Sequence, residues 1–501
     1  MLEKIDLKKK LSKEEYKRVA PDLEIRLGQL QRKIKEHGIP VIIVFEGWGA
    51  AGKGTLINKF LLPLDPRGIQ VLPTLAPNEE QTLRPFLWRF WIHTPERGRI
   101  HIFDRSWYRR VLKERVDDGV DSDDLRNEFD DIRAFERKLT ADGTVIVKFF
   151  LHISQKEQQK RFRKLEKNPA LAWRVNETDW KENEQYEDYV RAVDEMIERT
   201  DTGHARWTIV EATDERFATI KIFQGFIHAM EDKLAEIEPQ QEAGRADAAG
   251  ESARSAPVVE GLNASILDKV DLSGEMLDEE YRERKKKCQS RLRELEHELY
   301  IRRIPLMIVY EGWDAAGKGG NIRRLVQTLD PRGYEVVPIS APNDIEKAHH
   351  YLWRFWIRIP KAGHVTIFDR SWYGRVMVER IEGFCSRVEW RRAYREINEM
   401  EGHLTNFGAI LIKFWLQIDR DEQIRRFRER ENIPHKRWKI TSEDWRNREK
   451  WDDYRAAVDE MLYRTSTTYA PWTVVESNCK RFARIKAMQT VIERVEQRLE
   501  G

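Results

Sequence analysis

The chain has 501 residues, 35% of them charged and 40% hydrophobic, with a formal net charge of +3. This length exceeds one ordinary core and calls for two or more domains, and the near-neutral balance argues against a nucleic-acid partner and confines any polyanion site to a local basic patch. Cys288, Cys385 and Cys479 stand far apart and support neither a disulfide framework nor a zinc site, the first residues lack an apolar signal core, and no run reaches the ~20 apolar residues that span a bilayer. A cytoplasmic protein with no membrane partner is the expectation.

In chain order the first landmark is EGWGAAGKGT at 46–55, followed by DPRG at 65–68, LWRFW at 87–91, FDRSWY at 103–108 and the basic run KRFRKLEKNPALAWR at 160–174. Each of these returns 265 residues later, the offset set by Lys53 and Lys318, and Trp180 and Trp207 recur as Trp445 and Trp472 without a gap. The chain is therefore a tandem duplication of a unit large enough to fold alone. Residues 236–261 lack aromatics and are rich in Ala, Gly, Ser, Pro, Glu and Gln, which predicts a flexible linker between a first domain at 1–235 and a second at 262–501.

The second repeat opens with a charged amphipathic helix over 277–302. The apolar run PLMIVY at 305–310 then predicts a strand buried on both faces. The glycine loop EGWDAAGKGG (311–320) follows, with a helix from about Lys318. YEVVPI, HVTIFD, AILIKFWLQI and PWTVVE read as four further strands separated by helical patterns. Strand–helix alternation predicts an α/β fold with a parallel sheet between helices, whose ligands bind at the carboxyl ends of the strands.

The loop has the G-x-x-x-x-G-K form of a phosphate-binding loop, with Gly312, Ala315, Ala316, Gly317 and Lys318 in place. Gly319, however, stands where the usual hydroxyl holds Mg²⁺. Asp314 is the expected replacement, because a carboxylate beside phosphates is repulsive unless a metal lies between them. The first repeat has Gly49 there and shows that the turn forms without it. Asp369 closes an apolar strand, the placement of a metal-holding aspartate, and Arg370 and Arg375 offer planar donor forks suited to phosphate oxygens. The run RRFRERENIPHKRWK at 425–439 holds Arg426, Lys436 and Lys439 and reads as a helical lid over a polyanionic substrate. In the first repeat Ala170, Leu171 and Ala172 replace His435, Lys436 and Arg437. His349 and His350, replaced by Arg84 and Pro85, remain binding candidates only.

With GWDAAGKG at 312–319, DRSWYGRVMVER at 369–380 and PHKRWK at 434–439, each half resembles the family-2 polyphosphate kinases. That resemblance implies two tandem P-loop kinase-like domains with helical lids, acting on inorganic polyphosphate and nucleotides with Mg²⁺ or Mn²⁺. It further implies that Asp314 and Asp369 serve metal and phosphoryl transfer and that Lys318, Arg370 and Arg375 hold phosphates. Glu379 would lie near the nucleoside, and Lys436 and Lys439 would belong to the lid. The two-repeat arrangement resembles the subgroup that phosphorylates AMP to ADP. ADP or GDP as acceptor, an ATP-dependent nucleotide kinase, and a nucleotide-binding regulator are the other readings. A homo-oligomer is compatible with all of them. The first repeat departs from the pattern at Gly49, Arg109 and 170–172, and the expectation is a degenerate first domain beside a catalytic second.

Overall fold

The computed structural model describes residues 1–118, 122–247, 265–433 and 442–500. Each repeat builds a five-stranded, all-parallel sheet. In the first, β1 (Val41–Gly47), β2 (Ile69–Pro73), β3 (Ile100–Asp104), β4 (Val145–His152) and β5 (Trp207–Glu211) lie in the order β2-β3-β1-β4-β5. In the second, β6 (Leu306–Gly312), β7 (Tyr334–Pro338), β8 (Val365–Asp369), β9 (Ile410–Gln417) and β10 (Trp472–Glu476) repeat it as β7-β8-β6-β9-β10. The five strands expected in the second repeat thus form within a residue or two of their expected ends. The central strands β1 and β6 are buried from their first residue to the sixth, as continuous apolar runs between two helical layers should be. Among the described residues no helix is long and apolar enough to cross a membrane.

Two of the expected domain limits shift. Residues 236–247 continue the helix Glu215–Asp247, because Glu, Gln and Ala are good helix formers even where they cannot pack a core; the remainder of the expected linker, 248–261, lies outside the described residues. The two compact units are Met1–Pro77 with Phe86–Gly250 and Asn343–His350, and Asn78–Pro85 with Glu251–Pro342 and Tyr351–Gly501, so short segments do not follow the repeat boundary. His349 and His350 accordingly belong to the first unit, where the His350 ring meets Trp91 at 5.6 Å. Burial holds the His349 imidazole well below its ordinary pKa, at about 4.

A buried polar network fixes the end of β8. Lys413 Nζ, on β9, donates to Glu401 Oε2 at 2.7 Å, to the Tyr373 hydroxyl at 2.8 Å and to the Thr465 carbonyl at 2.7 Å. Glu401 Oε1 accepts from Trp372 Nε1 at 3.0 Å and from the Tyr373 hydroxyl at 2.6 Å. Both charged side chains are 0% exposed. The same five groups recur in the first repeat as Lys148, Glu136, Tyr108, Trp107 and Thr200. The Trp and Tyr of the DRSWY run are therefore anchors that set where Asp369 and Arg370 stand. Glu401→Gln leaves a buried ammonium without its counter-charge and is expected to cost about 3–5 kcal/mol; denaturant unfolding of the variant against the parent protein reads the loss.

Candidate active site

The site forms where β6 and β8 end. Gly312 closes β6 at φ +149°, and a Cβ there would lie 2.7 Å from the carbonyl oxygen of Leu416, its partner on β9, so the end of this strand pair requires glycine. The loop then turns through Ala315 at φ +63° and Gly317 at φ +111° into the helix Lys318–Val326. Lys318 Nζ folds back to donate to the carbonyls of Gly312 at 2.7 Å and Trp313 at 3.3 Å. A Cβ added at Gly319 would meet open space, so steric crowding does not explain the missing hydroxyl.

Asp369 ends β8 opposite Tyr310, and the next residue, Arg370, is held at φ +65°, a left-handed conformation that costs a non-glycine residue about 1–3 kcal/mol. This turn aims the guanidinium across the sheet edge, where Arg370 Nη2 donates to Asp314 Oδ1 at 3.1 Å. The other oxygen, Asp314 Oδ2, accepts from Asn447 Nδ2 at 3.0 Å, and Gln423 Nε2 donates to the Asp314 carbonyl at 3.2 Å. Beneath them the buried Glu311 accepts from Ser371 Oγ at 2.7 Å. Burial raises the Glu311 pKa, against the pull of Ser371, Lys318 and Arg370. Burial and then the Arg370 charge lower the Lys318 pKa, while Asp314, Asp369 and Glu311 raise it. Three carboxyl groups, one ammonium and one guanidinium thus act on one another at the glycine loop and the start of its helix, an arrangement fitted to an anion with a cation beside it. A cavity of about 90 Å³ opens here, lined in part by Asp314, Arg370, Gly374, Val378 and Asn447.

Arg426 apart, the expected residues separate into three groups. Gly312, Asp314, Ala315, Ala316, Gly317, Lys318, Asp369 and Arg370 come together at the loop. Arg375 and Glu379 lie beyond Gly374 and pair with each other, Nε to Oε2 at 3.1 Å, with the Arg375 guanidinium 4.5 Å from the Tyr351 ring centroid. Burial raises the Glu379 pKa, opposed by Arg375 and Arg354. Lys436 and Lys439 lie outside the described residues.

Arg426 differs from its expected phosphate-binding part. Nε meets Glu422 at 2.5 Å, Nη1 the carbonyls of Ala315 and Ala316 at 3.0 and 2.9 Å, and Nη2 those of Ser477 and Asn478 at 2.5 and 3.0 Å. All five of its N–H groups are thereby committed within the protein. Arg161 makes the same set of bonds in the first repeat, to Glu157, Ala50, Ala51, Ala212 and Thr213. Arg426 is a clamp that shapes the loop from behind.

Sequence reasoning missed Asn447 and Glu311. Glu311 carries no signal, since Glu46 stands at its counterpart. Asn447 does: its counterpart is Glu182, which in the first repeat forms an ion pair with Lys113 at the place of Val378. There Gly49 replaces Asp314, Arg109 replaces Gly374, and the cavity is about 60 Å³. The loop itself persists, with Lys53 Nζ on the carbonyls of Gly47 and Trp48 at 2.8 and 3.1 Å and Arg105 at φ +61°.

A parallel sheet whose carboxyl edge presents a glycine loop, an aspartate at a strand end and a lysine–arginine pair has the recurring parts of a phosphoryl-transfer enzyme. The chain belongs to the polyphosphate kinase 2 family, whose pattern matches residues 10–238 and 275–500. It is 42% identical over 499 residues to the polyphosphate:AMP phosphotransferase of Pseudomonas aeruginosa, covering 99% of both chains. It is 33% identical to that of Acinetobacter johnsonii over 480 residues, 94% of each. A crystal structure of a polyphosphate kinase 2 from Pseudomonas aeruginosa superposes with a TM-score of 0.87 at 40% identity, over 100% of this chain and 99% of that one.

Two expectations test this anatomy. Arg426→Lys keeps the charge but loses most of the five-point clamp, and should lower stability by about 2–3 kcal/mol in denaturant unfolding. In the first repeat Trp48 Nε1 donates to His152 Nδ1 at 2.9 Å, a bond that needs the neutral ring; Gln417 takes this part for Trp313, also at 2.9 Å. Burial lowers the His152 pKa from 6.5 to about 4, so the unfolded chain binds the proton first and stability is lost as pH falls below 6.5. By pH 5 the loss is about 2 kcal/mol. His152→Gln should remove that part of the pH dependence in melting curves between pH 7.5 and 5.

Proposed function

We propose that the second repeat transfers the terminal phosphoryl group of inorganic polyphosphate to AMP, giving ADP. The observation that carries this reading is the contrast between repeats: Asp314, held by Arg370 and Asn447, stands where the first repeat has Gly49 beside a Glu182–Lys113 pair. Relatives matched over nearly their whole length bear the name polyphosphate:AMP phosphotransferase, which favours AMP over ADP or GDP as acceptor.

The chemistry asks for little covalent help. A phosphate monoester has its second pKa near 6, so an oxygen of AMP is already ionised at neutral pH and no general base is needed. That oxygen attacks the terminal phosphorus, the new P–O bond forms in line, and the bridging P–O bond breaks with its electron pair leaving on the shortened polyphosphate. The loop N–H groups and Lys318 hold the transferring group, and Arg370 neutralises charge gathering on its oxygens. Asp314 and Asp369 are the residues that would hold Mg²⁺, or Mn²⁺. Two carboxylates fit the usual Mg²⁺ arrangement, in which phosphate oxygens and water complete the shell. When bound, the ion neutralises developing charge on the phosphate oxygens. Among the described residues there is no group of three or more metal-ligating side chains to compete. A cytoplasmic setting fits the three free cysteines.

The test is the product pattern from polyphosphate with AMP, from polyphosphate with ADP, and from ATP with AMP. ADP formed in the first mixture, with little product in the other two, supports the reading; turnover with ATP alone would overturn it. Asp314→Asn should lower kcat by about 10³-fold or more. Gly49→Asp should not add a second centre: its Cβ would lie 3.3 Å from both Gln158 Nε2 and Phe162 Cζ and 3.6 Å from a carboxylate oxygen of Asp179. Steady-state kinetics of the single and double variants read both effects.

A further inference from the structure

Asp314 is gripped twice by the helix Ser442–Glu449, through two neighbouring residues. Arg448 Nη1 donates to Gln423 Oε1 at 3.0 Å, and Gln423 Nε2 donates to the Asp314 main-chain carbonyl at 3.2 Å. Asn447 Nδ2 donates to the side chain, to Oδ2 at 3.0 Å. The other end of this amide, Oδ1, faces the Tyr454 hydroxyl at 3.3 Å and has no other donor among the described residues. Turned over, the amide would set Oδ1 against a carboxylate oxygen, so the phenol proton and the Asp314 charge select the same orientation. Tyr454 stands in turn 3.4 Å from Glu382 Oε1, a carboxylate already met by Lys450 Nζ at 3.0 Å and Arg446 Nε at 3.2 Å. Burial, then the charges of Glu382 and Asp314, raise the Tyr454 pKa, so the hydroxyl keeps its proton.

The first repeat separates the two grips. The main-chain one persists: Gln158 Nε2 donates to the Gly49 carbonyl at 3.3 Å, and Asn183 Nδ2, in the place of Arg448, donates to Gln158 Oε1 at 2.8 Å. The side-chain grip is gone with its target. Glu182 replaces Asn447 and turns to Lys113, and the hydroxyl of Tyr189, the counterpart of Tyr454, goes to Asp117 Oδ1 at 3.1 Å. The glycine loop folds without an amide at this position, so the shape of the loop does not explain Asn447. Its neutrality does: a glutamate there would repel Asp314 and a lysine would neutralise it, whereas an amide donates a hydrogen bond and leaves the full negative charge on the carboxylate.

We propose that Asn447 and Tyr454 are positioning residues for phosphoryl transfer: Tyr454 fixes the amide of Asn447, and the amide, an uncharged donor, fixes the Asp314 carboxylate with one oxygen on Arg370 and the other on itself. The inference rests on Asp314 serving the reaction proposed above. It makes Asn447 and Tyr454, and not the glycine loop alone, part of what distinguishes the two repeats.

The experiment uses the full chain with Asn447→Leu, Asn447→Lys, Tyr454→Phe and Asp314→Asn, the double variant Asn447→Leu with Asp314→Asn, and Tyr189→Phe as the first-repeat control. Asn447→Leu, close to isosteric, should lower kcat about tenfold with KM for AMP and for polyphosphate within about threefold. Tyr454→Phe should lower kcat about threefold in the same way and covers the case of a misfolded Asn447→Leu. Because Asn447 acts through Asp314, Asn447→Leu should change kcat by less than about twofold once Asp314→Asn is present. Mn²⁺ binding to the AMP-bound protein, read by electron paramagnetic resonance, should weaken about tenfold or more in Asn447→Lys, whose ammonium takes up the Asp314 charge. Trp313 stacks on Trp451 at 3.8 Å with the ring planes 9° apart, and the near-UV circular dichroism of this pair shows whether each variant keeps its fold beside the loop. The control should match the parent protein throughout. Parent kcat in folded Asn447→Leu or Tyr454→Phe, additive losses in the double variant, or parent Mn²⁺ affinity in Asn447→Lys would overturn the assignment. If the parent protein makes no ADP from polyphosphate and AMP, the proposed reaction fails, and the Mn²⁺ comparison, which needs no turnover, still decides the part played by Asn447.

Discussion

The buried Lys413–Glu401 pair is the constraint on which the rest of the site depends. It joins β9 to the helix Arg387–Asn406 and takes the Trp372 and Tyr373 side chains into the same network. Those two residues follow closely on Asp369 and Arg370, so the chain cannot relax its strained turn at Arg370 without breaking hydrogen bonds to a buried charge. Strain at the strand end and rigidity beneath it are two parts of one device, in which a saturated network over-determines an unfavourable backbone conformation.

The duplication separates scaffold from chemistry. Both repeats keep the buried pair, the arginine clamp, the left-handed arginine and the lysine folded over the loop. What changes is the carboxylate in the loop and its amide partner. The first repeat fills the space beside its loop with Arg109 and Lys113, where the second has Gly374 and Val378. Charge has been rearranged on an almost unaltered frame.

Much of this was legible in the sequence because its signals are local. Continuous apolar runs gave the central strands, and glycines at fixed spacing gave the loop. The gapless 265-residue offset gave a second reading of every position. The parts that escaped are non-local. Arg426 sits in a basic run and looks like a ligand for phosphate, yet its partners are backbone carbonyls about 50 and 110 residues away. Asn447 reaches Asp314 across 133 residues and has no local pattern to announce it, although its replacement by Glu182 was visible in the paired repeat. The helix ending at Asp247 outran the expected boundary because composition reports whether a segment packs and says little about whether it coils.

The five-point clamp of Arg426 has a thermodynamic consequence for ligand capture. Flexible anion-binding loops are ordered by their ligand, and part of the interaction energy is then consumed in removing conformational freedom. Here the loop carbonyls of Ala315 and Ala316 are tied to the strand ends at Ser477 and Asn478 by a single planar group, with Ser477 Oγ adding a bond to Ala316 at 2.6 Å. The backbone of the loop is therefore fixed by the protein itself. On the proposed reading, a phosphate entering this loop would meet little entropic penalty from the loop itself, and the heat of its binding would come mainly from the exchange of water and ions.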